Sequence, residues 1–206
     1  DLVALVQALD LSNIYAVGHS SGGLSTLIAG SMLPGRFEKV VLVETRVGNQ
    51  PATVPTQDLK IRAERTRMKR SVWKSKQAMF SAYRDRTAFK DWHDDAFTAF
   101  IEGGTKPLDD GQVQLQCLPE VEATFYEQRD SMDTTHYLKN LTAKYLLLLG
   151  SYPGGQTHDD PGVTRSLELV PGASVRPMGT GSHFLPMEHP DLVLKQIQGF
   201  FSGQIT

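Results

Sequence analysis

Residues 15–25 read YAVGHSSGGLS. A short apolar run, Ile14 to Val17, climbs to Gly18, and Gly-His-Ser-Ser-Gly follows. Leu24, Leu27, Ile28 and Leu33 then recur at helical spacing until Pro34-Gly35 stops them. The stretch therefore reads as a buried strand, a tight turn and a helix, with Ser20 at the turn. A serine hydroxyl is a poor nucleophile unless it has a base in reach, donors for a developing oxyanion, and access to substrate. A sharp strand-to-helix turn lifts the side chain above a sheet. It also points the following backbone N–H, that of Ser21, at a reacting carbonyl. The crowding of such a turn calls for glycine two residues to either side, where Gly18 and Gly22 stand, and the small Gly23 and Ser25 let the helix pack closely. Gly-x-Ser-x-Gly alone is a weak pattern; its strand and helix context is what makes it informative.

Outward from this turn the chain keeps an alternating rhythm. Residues 1–10 place Leu2, Leu5, Val6 and Leu9 on one helical face, and Lys39 to Glu44, KVVLVE, reads as the next buried strand. Helix, strand, helix, strand is the order of a parallel α/β sheet. Strand texture returns at Lys144 to Gly150, KYLLLLG. A helix is expected over 163–170, a last strand over 173–178, and a final helix after Pro190 that turns Leu192, Val193, Ile197, Phe200 and Phe201 to the sheet. Between these parts lies a polar region with helical spacing, Met79, Phe80 and Tyr83 in one helix and Phe97, Phe100 and Ile101 in another. The expected divisions are 1–47, 48–140 and 141–206, the outer two forming one core and the middle one an insertion.

Composition narrows the function. With 40% hydrophobic residues, 21% charged residues and a net charge of −2, the 206-residue chain reads as an ordinary globular protein without a global field for nucleic acid or anionic membrane. The longest aliphatic run, Leu146 to Leu149, is far short of a membrane span. The single cysteine, Cys117, permits no internal disulfide and reads as a buried or half-buried thiol. No signal-peptide pattern opens the chain, and the expected compartment is the cytoplasm. Eight of the residues from Lys60 to Lys76 are basic and only Glu64 is acidic. That run reads as the solvated face of a helix, with an anion-binding face as the alternative.

Six histidines offer a base: 19, 93, 136, 158, 183 and 189. His19 is adjacent to Ser20 and should point elsewhere. His183, after the last expected strand and among Gly179, Gly181 and Ser182, falls on the same carboxyl edge of the sheet as Ser20, where sites in open α/β sheets form. It is the expected general base and then acid. The clusters His93-Asp94-Asp95 and His158-Asp159-Asp160 are adjacent residues that rarely converge on one ion, so no metal and no cofactor is expected.

The strand with VGHSSGG, the strand VVLVE, YLLLLG, and GSHFLPMEHPDLV before a terminal helix together resemble the α/β-hydrolase superfamily, over residues 1–47 and about 141–206. The resemblance implies an α/β-hydrolase fold: a partial, mostly parallel sheet, helices on both faces, and an inserted helical cap. It also implies a nucleophile, acid, histidine order along the chain. Members most often carry the acid after the strand placed here at 144–150, where Asp159 and Asp160 are the first carboxylates. Others, haloalkane dehalogenases among them, carry it at the end of the earlier strand, the place of Glu44, 24 positions after Ser20. A carboxylate ending an apolar strand is costly unless paired, and an imidazole would pair it. Glu44 is the first candidate; Asp159 and Asp160 are the alternatives.

The resemblance also implies four strands before the first helix, one loop of which gives a second oxyanion N–H. Only 17 residues precede Gly18 here, so the chain is expected to be shortened, with its Ile14–Val17 strand at an exposed sheet edge open to self-association or completion by another chain. Ser20 argues against the aspartate-dependent epoxide hydrolases and dehalogenases of the superfamily. The expected activity is hydrolysis of a small or medium apolar ester, thioester or lactone through an acyl-enzyme, the apolar group being suggested by Trp73, Phe80, Tyr83, Trp92, Phe97 and Phe100. The alternative is a weak or inactive remnant that binds a ligand or partner.

Overall fold

The computed structural model describes residues 1–45, 56–128, 135–157, 159–160, 163–164, 167–168, 170 and 172–204. The chain divides into two compact units, Asp1–Gln50 with Asp133–Thr206, and Pro51–Met132.

The first unit is built on a four-stranded sheet in the order β1-β2-β6-β7, formed by β1 (Ile14–His19), β2 (Phe37–Val43), β6 (Lys144–Leu149) and β7 (Ala173–Pro177). Every pairing is parallel. The apolar runs of β2 and β6 have no polar alternation because both faces are covered. Val40 and Leu42 of β2, with Tyr145, Leu147 and Leu149 of β6, pack against α1 (Leu2–Ala8), α2 (Ser21–Met32) and α7 (Thr135–Leu138). Val41, Val43, Leu146 and Leu148 fill the opposite face, against Leu185 of α8 (Leu185–Glu188) and Val193 and Phe200 of α9 (Pro190–Ser202). Pro190 occupies the first turn of α9, where its missing N–H costs no helical hydrogen bond. Of the helix expected over 163–170, residues 163–164 and 167–168 are helical and the remainder lies outside the described residues, apart from Val170.

Two local expectations need correction. Leu5 and Leu9 are 52% and 60% exposed; the buried side of α1 is formed by Leu2, Val3 and Val6, a face rotated from the one the leucine spacing suggests. The Ile14–Val17 run, read as a buried strand, is covered on one face only, its alternate residues Tyr15 and Val17 being each 48% exposed; its place at the edge of the described sheet is the expected one.

The second unit contains α3 (Thr56–Arg67), α4 (Lys76–Tyr83), α5 (Asp94–Gly103) and α6 (Pro119–Gln128). It also holds a small antiparallel sheet in the order β3-β5-β4, from β3 (Val72–Trp73), β4 (Thr105–Pro107) and β5 (Val113–Leu115). Strands of two or three residues show no alternation, so this sheet is not visible as a sequence pattern. Phe97, Trp92, Trp73 and Tyr83 are buried, and Phe80, Phe89 and Phe100 complete a chain of ring contacts at 4.8–6.4 Å. These rings form the core of the unit. Cys117, expected to be at least half-buried, is exposed in the turn between β5 and α6. No described helix is long and apolar enough to cross a membrane.

Candidate active site

Four parallel strands end at one edge of the sheet, and each is followed there by a residue of the candidate site. Ser20 follows β1, Glu44 follows β2, Gly150 and Tyr152 follow β6, and His183 lies in the loop after β7. The ladder continues past the strand ends and fixes their levels: Ser20 N–H donates to Val43 O at 2.9 Å, Glu44 N–H to Leu148 O at 3.0 Å, and Met178 N–H to Leu149 O at 2.8 Å.

Ser20 sits at φ 53°, ψ −120°, directly before the first residue of α2. Positive φ crowds Cβ against the backbone in any residue but glycine. Glu44 also has positive φ, at 49°. Among the described residues, the other non-glycine ones with positive φ are Asp10 and Asn13, whose side chains tolerate it better. Strain of this kind costs about 1–3 kcal/mol and persists only where the surroundings enforce it. For Ser20, the enforcement is close packing of helix on strand. A Cβ at Gly18 would lie 2.5 Å from Gly23 Cα and 2.7 Å from Gly23 N, and one at Gly23 would overlap Thr45 Oγ1. A Cβ at Gly22 would meet nothing within 4 Å. The steric demand thus falls on Gly18 and Gly23, not on Gly18 and Gly22. Gly23→Ala should cost about 1–3 kcal/mol by overpacking against buried Thr45. Gly22→Ala should be neutral or stabilising by up to about 1 kcal/mol through helix propensity. Urea unfolding of the two variants measures the contrast.

The Ser21 N–H belongs to the first turn of α2 and has no acceptor within the helix. It is therefore free to meet an anion, in the place where the helix dipole favours negative charge.

Glu44 is 2% exposed. Gly150 N–H donates to its Oε1 at 2.5 Å and Tyr152 O–H to its Oε2 at 2.8 Å. His183 Nδ1 lies 3.6 Å from Oε2, longer than a hydrogen bond but close enough for a charge on the ring to be felt directly. Burial pushes the Glu44 carboxyl upward. Contact with His183, the Gly150 N–H and the Tyr152 O–H outweigh burial and hold it below the usual carboxylate range. Glu44 is therefore ionised at neutral pH. A carboxylate only accepts, so Nδ1, the ring nitrogen of His183 turned to Glu44, is the one suited to carry a proton there.

A depressed folded-state pKa means that ionised Glu44 contributes stability above its unfolded pKa and loses it as pH falls through the folded value. The stability gap between wild type and Glu44→Gln should therefore be largest above the ordinary carboxylate range and close toward lower pH. Thermal unfolding of both proteins from pH 7 downward measures it.

The His183 loop is pinned on several sides. Its Gly179 and Gly181 adopt φ of 70° and 77°. Ser151 N–H donates to Gly181 O at 3.0 Å. Glu188 accepts from both Ser182 N–H and Ser182 Oγ–H, each at 2.5 Å. His19 Nε2 lies 2.7 Å from His183 O, and the two rings are 5.0 Å apart between centroids. Burial lowers the His19 pKa, so the ring is neutral and Nε2 carries the proton given to that carbonyl. His19 thus joins the turn that holds Ser20 to the loop that holds His183.

Glu44 is the carboxylate the structure brings to His183. Asp159 is exposed, and the Asp160 backbone serves the loop, its N–H donating to Thr157 O at 3.1 Å. His93 caps α5, its Nδ1 accepting from Asp95 N–H at 3.3 Å. His158 lies outside the described residues. Gly150, Tyr152 and Glu188 escape a reading of the sequence. Their partners are distant or in another element, and the visible hint is a glycine ending an apolar strand.

Comparison with known proteins agrees with this architecture. A family model described as the alpha/beta hydrolase family matches residues 1–196, and the chain belongs to that family. No curated protein matches. Among solved structures, E-2-(acetamidomethylene)succinate hydrolase superposes with a TM-score of 0.73 at 20% identity, covering 98% of this chain and 71% of that one. An enol-lactonase from Burkholderia xenovorans LB400 superposes at 0.68 with 20% identity, over 98% and 70% of the two chains. The thioesterase domain from the curacin biosynthetic pathway does so at 0.66 with 15% identity, over 95% and 70%. At these identities the likeness is one of fold.

Proposed function

We propose that this protein is a serine hydrolase that transfers the acyl group of an ester, thioester or lactone to water. The observation that carries this reading is the convergence, on one sheet edge, of a strained Ser20 with a His183–Glu44 pair whose Nδ1 and Oε2 are 3.6 Å apart.

In the proposed reaction Ser20 Oγ bonds to the substrate carbonyl carbon as His183 Nε2 takes its proton. The oxyanion is met by the Ser21 N–H, and Glu44 balances the imidazolium. Collapse breaks the bond to the leaving oxygen or sulfur, which takes the proton from His183. A water then attacks the acyl-enzyme, giving its proton to His183, and Ser20 leaves with that proton as the acid is released. No cofactor enters this sequence. The lactonase and thioesterase neighbours favour lactones and thioesters alongside simple esters. The aromatic residues from Trp73 to Phe100 no longer speak for an apolar acyl group, because they are used in packing one another.

The test is a kinetic panel of p-nitrophenyl acetate and butyrate, an acyl thioester of N-acetylcysteamine, and a small lactone. Saturable turnover of at least one class, with the water-derived acid as product, is expected. A folded chain that turns over none contradicts the reading.

A further inference from the structure

The basic run from Lys60 to Lys76 is not uniformly a solvated face. On one side, α3 and α6 lock their charges together. Arg67 pairs with Glu120 and Glu127 at 2.9 and 2.7 Å, and Lys69 pairs with Glu122 at 2.7 Å. On another side the second unit carries an open cavity of about 440 Å³, its rim formed by the exposed Arg65, Met68, Lys69, Arg70, Ala82 and Arg86 and its floor by the buried Trp73 and Tyr83. None of the candidate catalytic residues lines it. Among the described residues, Arg65, Arg70 and Arg86 make no ion pair, although carboxylates are plentiful on the neighbouring α6. Three exposed guanidinium groups without a carboxylate partner thus border one cavity, and a bound anion would supply that partner.

The guanidinium groups are also arranged for a ligand. Arg70 lies over the Trp73 ring at 4.8 Å and Arg86 over the Tyr83 ring at 4.3 Å. A guanidinium held by its face against an aromatic ring keeps its N–H edge for a planar or tetrahedral oxyanion. Arg86 Nε–H is held by Ala82 O at 3.1 Å, which leaves its terminal nitrogens to turn outward. The favourable placement of cations near a helix C-terminus explains Arg65 in the last turn of α3 and Arg86 on the last-turn carbonyl of Ala82, but not Arg70, which lies beyond α3 and over the Trp73 ring.

We propose that this cavity is a binding site for an organic phosphate. Arginine forks match phosphate oxygens in pairs, which accounts for the charge. The volume falls within that of small-molecule sites, about 300–1,000 Å³, and exposed Met68 and Ala82, beside the parts of Trp73 and Tyr83 left open by their packing, give apolar surface for an organic body on the anion. Inorganic phosphate would use only the first of these.

Isothermal titration with phenyl phosphate, inorganic phosphate and phenol tests it, at fixed ionic strength. Phenyl phosphate should bind once per chain and at least tenfold tighter than inorganic phosphate, and phenol should not bind. Arg70→Gln and Arg86→Gln should each weaken phenyl phosphate at least tenfold while circular dichroism shows an unchanged fold. Arg67→Gln, which removes a nearby but paired charge, should stay within twofold of wild type. Ser20→Ala should bind as wild type, which separates this cavity from the candidate active site. Absence of saturable binding, equal binding of inorganic phosphate, or equal weakening by Arg67→Gln overturns the proposal.

Discussion

Ser20→Ala is expected to lose whatever hydrolase activity the wild type shows on the ester, thioester and lactone panel, while its unfolding curve stays close to that of wild type. Removing the nucleophile of a serine hydrolase costs on the order of 10⁶ in kcat, because neither the base nor the oxyanion donors then have a bond to assist. The loss should fall on kcat and not on substrate binding. A second substitution distinguishes chemistry from folding. Ser20 is held at φ 53°, which glycine adopts without strain. Ser20→Gly should therefore be at least as stable as Ser20→Ala, by about 1 kcal/mol, and equally inactive. Activity retained in either variant would remove Ser20 from the mechanism. Loss of activity together with collapse of the fold in both would leave strain relief without its expected effect and contradict the account of the turn.

Glu44→Gln lowers kcat/KM by roughly a thousandfold or more, and Asp159→Asn and Asp160→Asn leave it within a few-fold. Glutamine keeps the size of Glu44 and can still accept from the Gly150 N–H. It cannot balance an imidazolium, and it does not select the tautomer that leaves Nε2 free. Because the Nδ1–Oε2 separation is 3.6 Å here, the contact should tighten when His183 becomes charged, as catalytic pairs do on reaching the substrate complex. The contrast in kcat/KM among the three variants is the discriminating readout. Unchanged rate in Glu44→Gln with a large loss in Asp159→Asn would transfer the role to the later loop.

The parts legible in the sequence are those whose physics is local. Ile14 to Leu33 announces strand, turn and helix through apolar spacing, two glycines and a terminating Pro-Gly. Lys39–Glu44 and Lys144–Gly150 announce buried parallel strands by lacking alternation. Glu44 is conspicuous as a charge ending an apolar strand, and the parallel pairing of β1, β2 and β6 then places it beside Ser20. What escapes the sequence is set by contacts between distant elements. Tyr152 and Gly150 reach Glu44 from across the sheet edge, and Glu188 holds Ser182 from the next helix. Gly23 matters because Thr45, from another strand end, presses on it, whereas Gly22, at the motif position, faces open space. The small sheet of β3, β4 and β5 has strands too short for periodicity. The difference between Arg67, neutralised by α6, and Arg65, Arg70 and Arg86, left unpaired, requires the helix packing to be seen.

The central claim is that Ser20 is a nucleophile activated by His183. A fluorophosphonate reacts irreversibly with a serine so activated and ignores ordinary hydroxyls. Intact-mass measurement after exposure to the probe, followed by peptide mapping, tests the claim most directly. The account predicts one adduct per chain, located on Ser20, absent in Ser20→Ala and strongly slowed in His183→Ala. A folded protein that gains no adduct, or gains one on another residue, contradicts it.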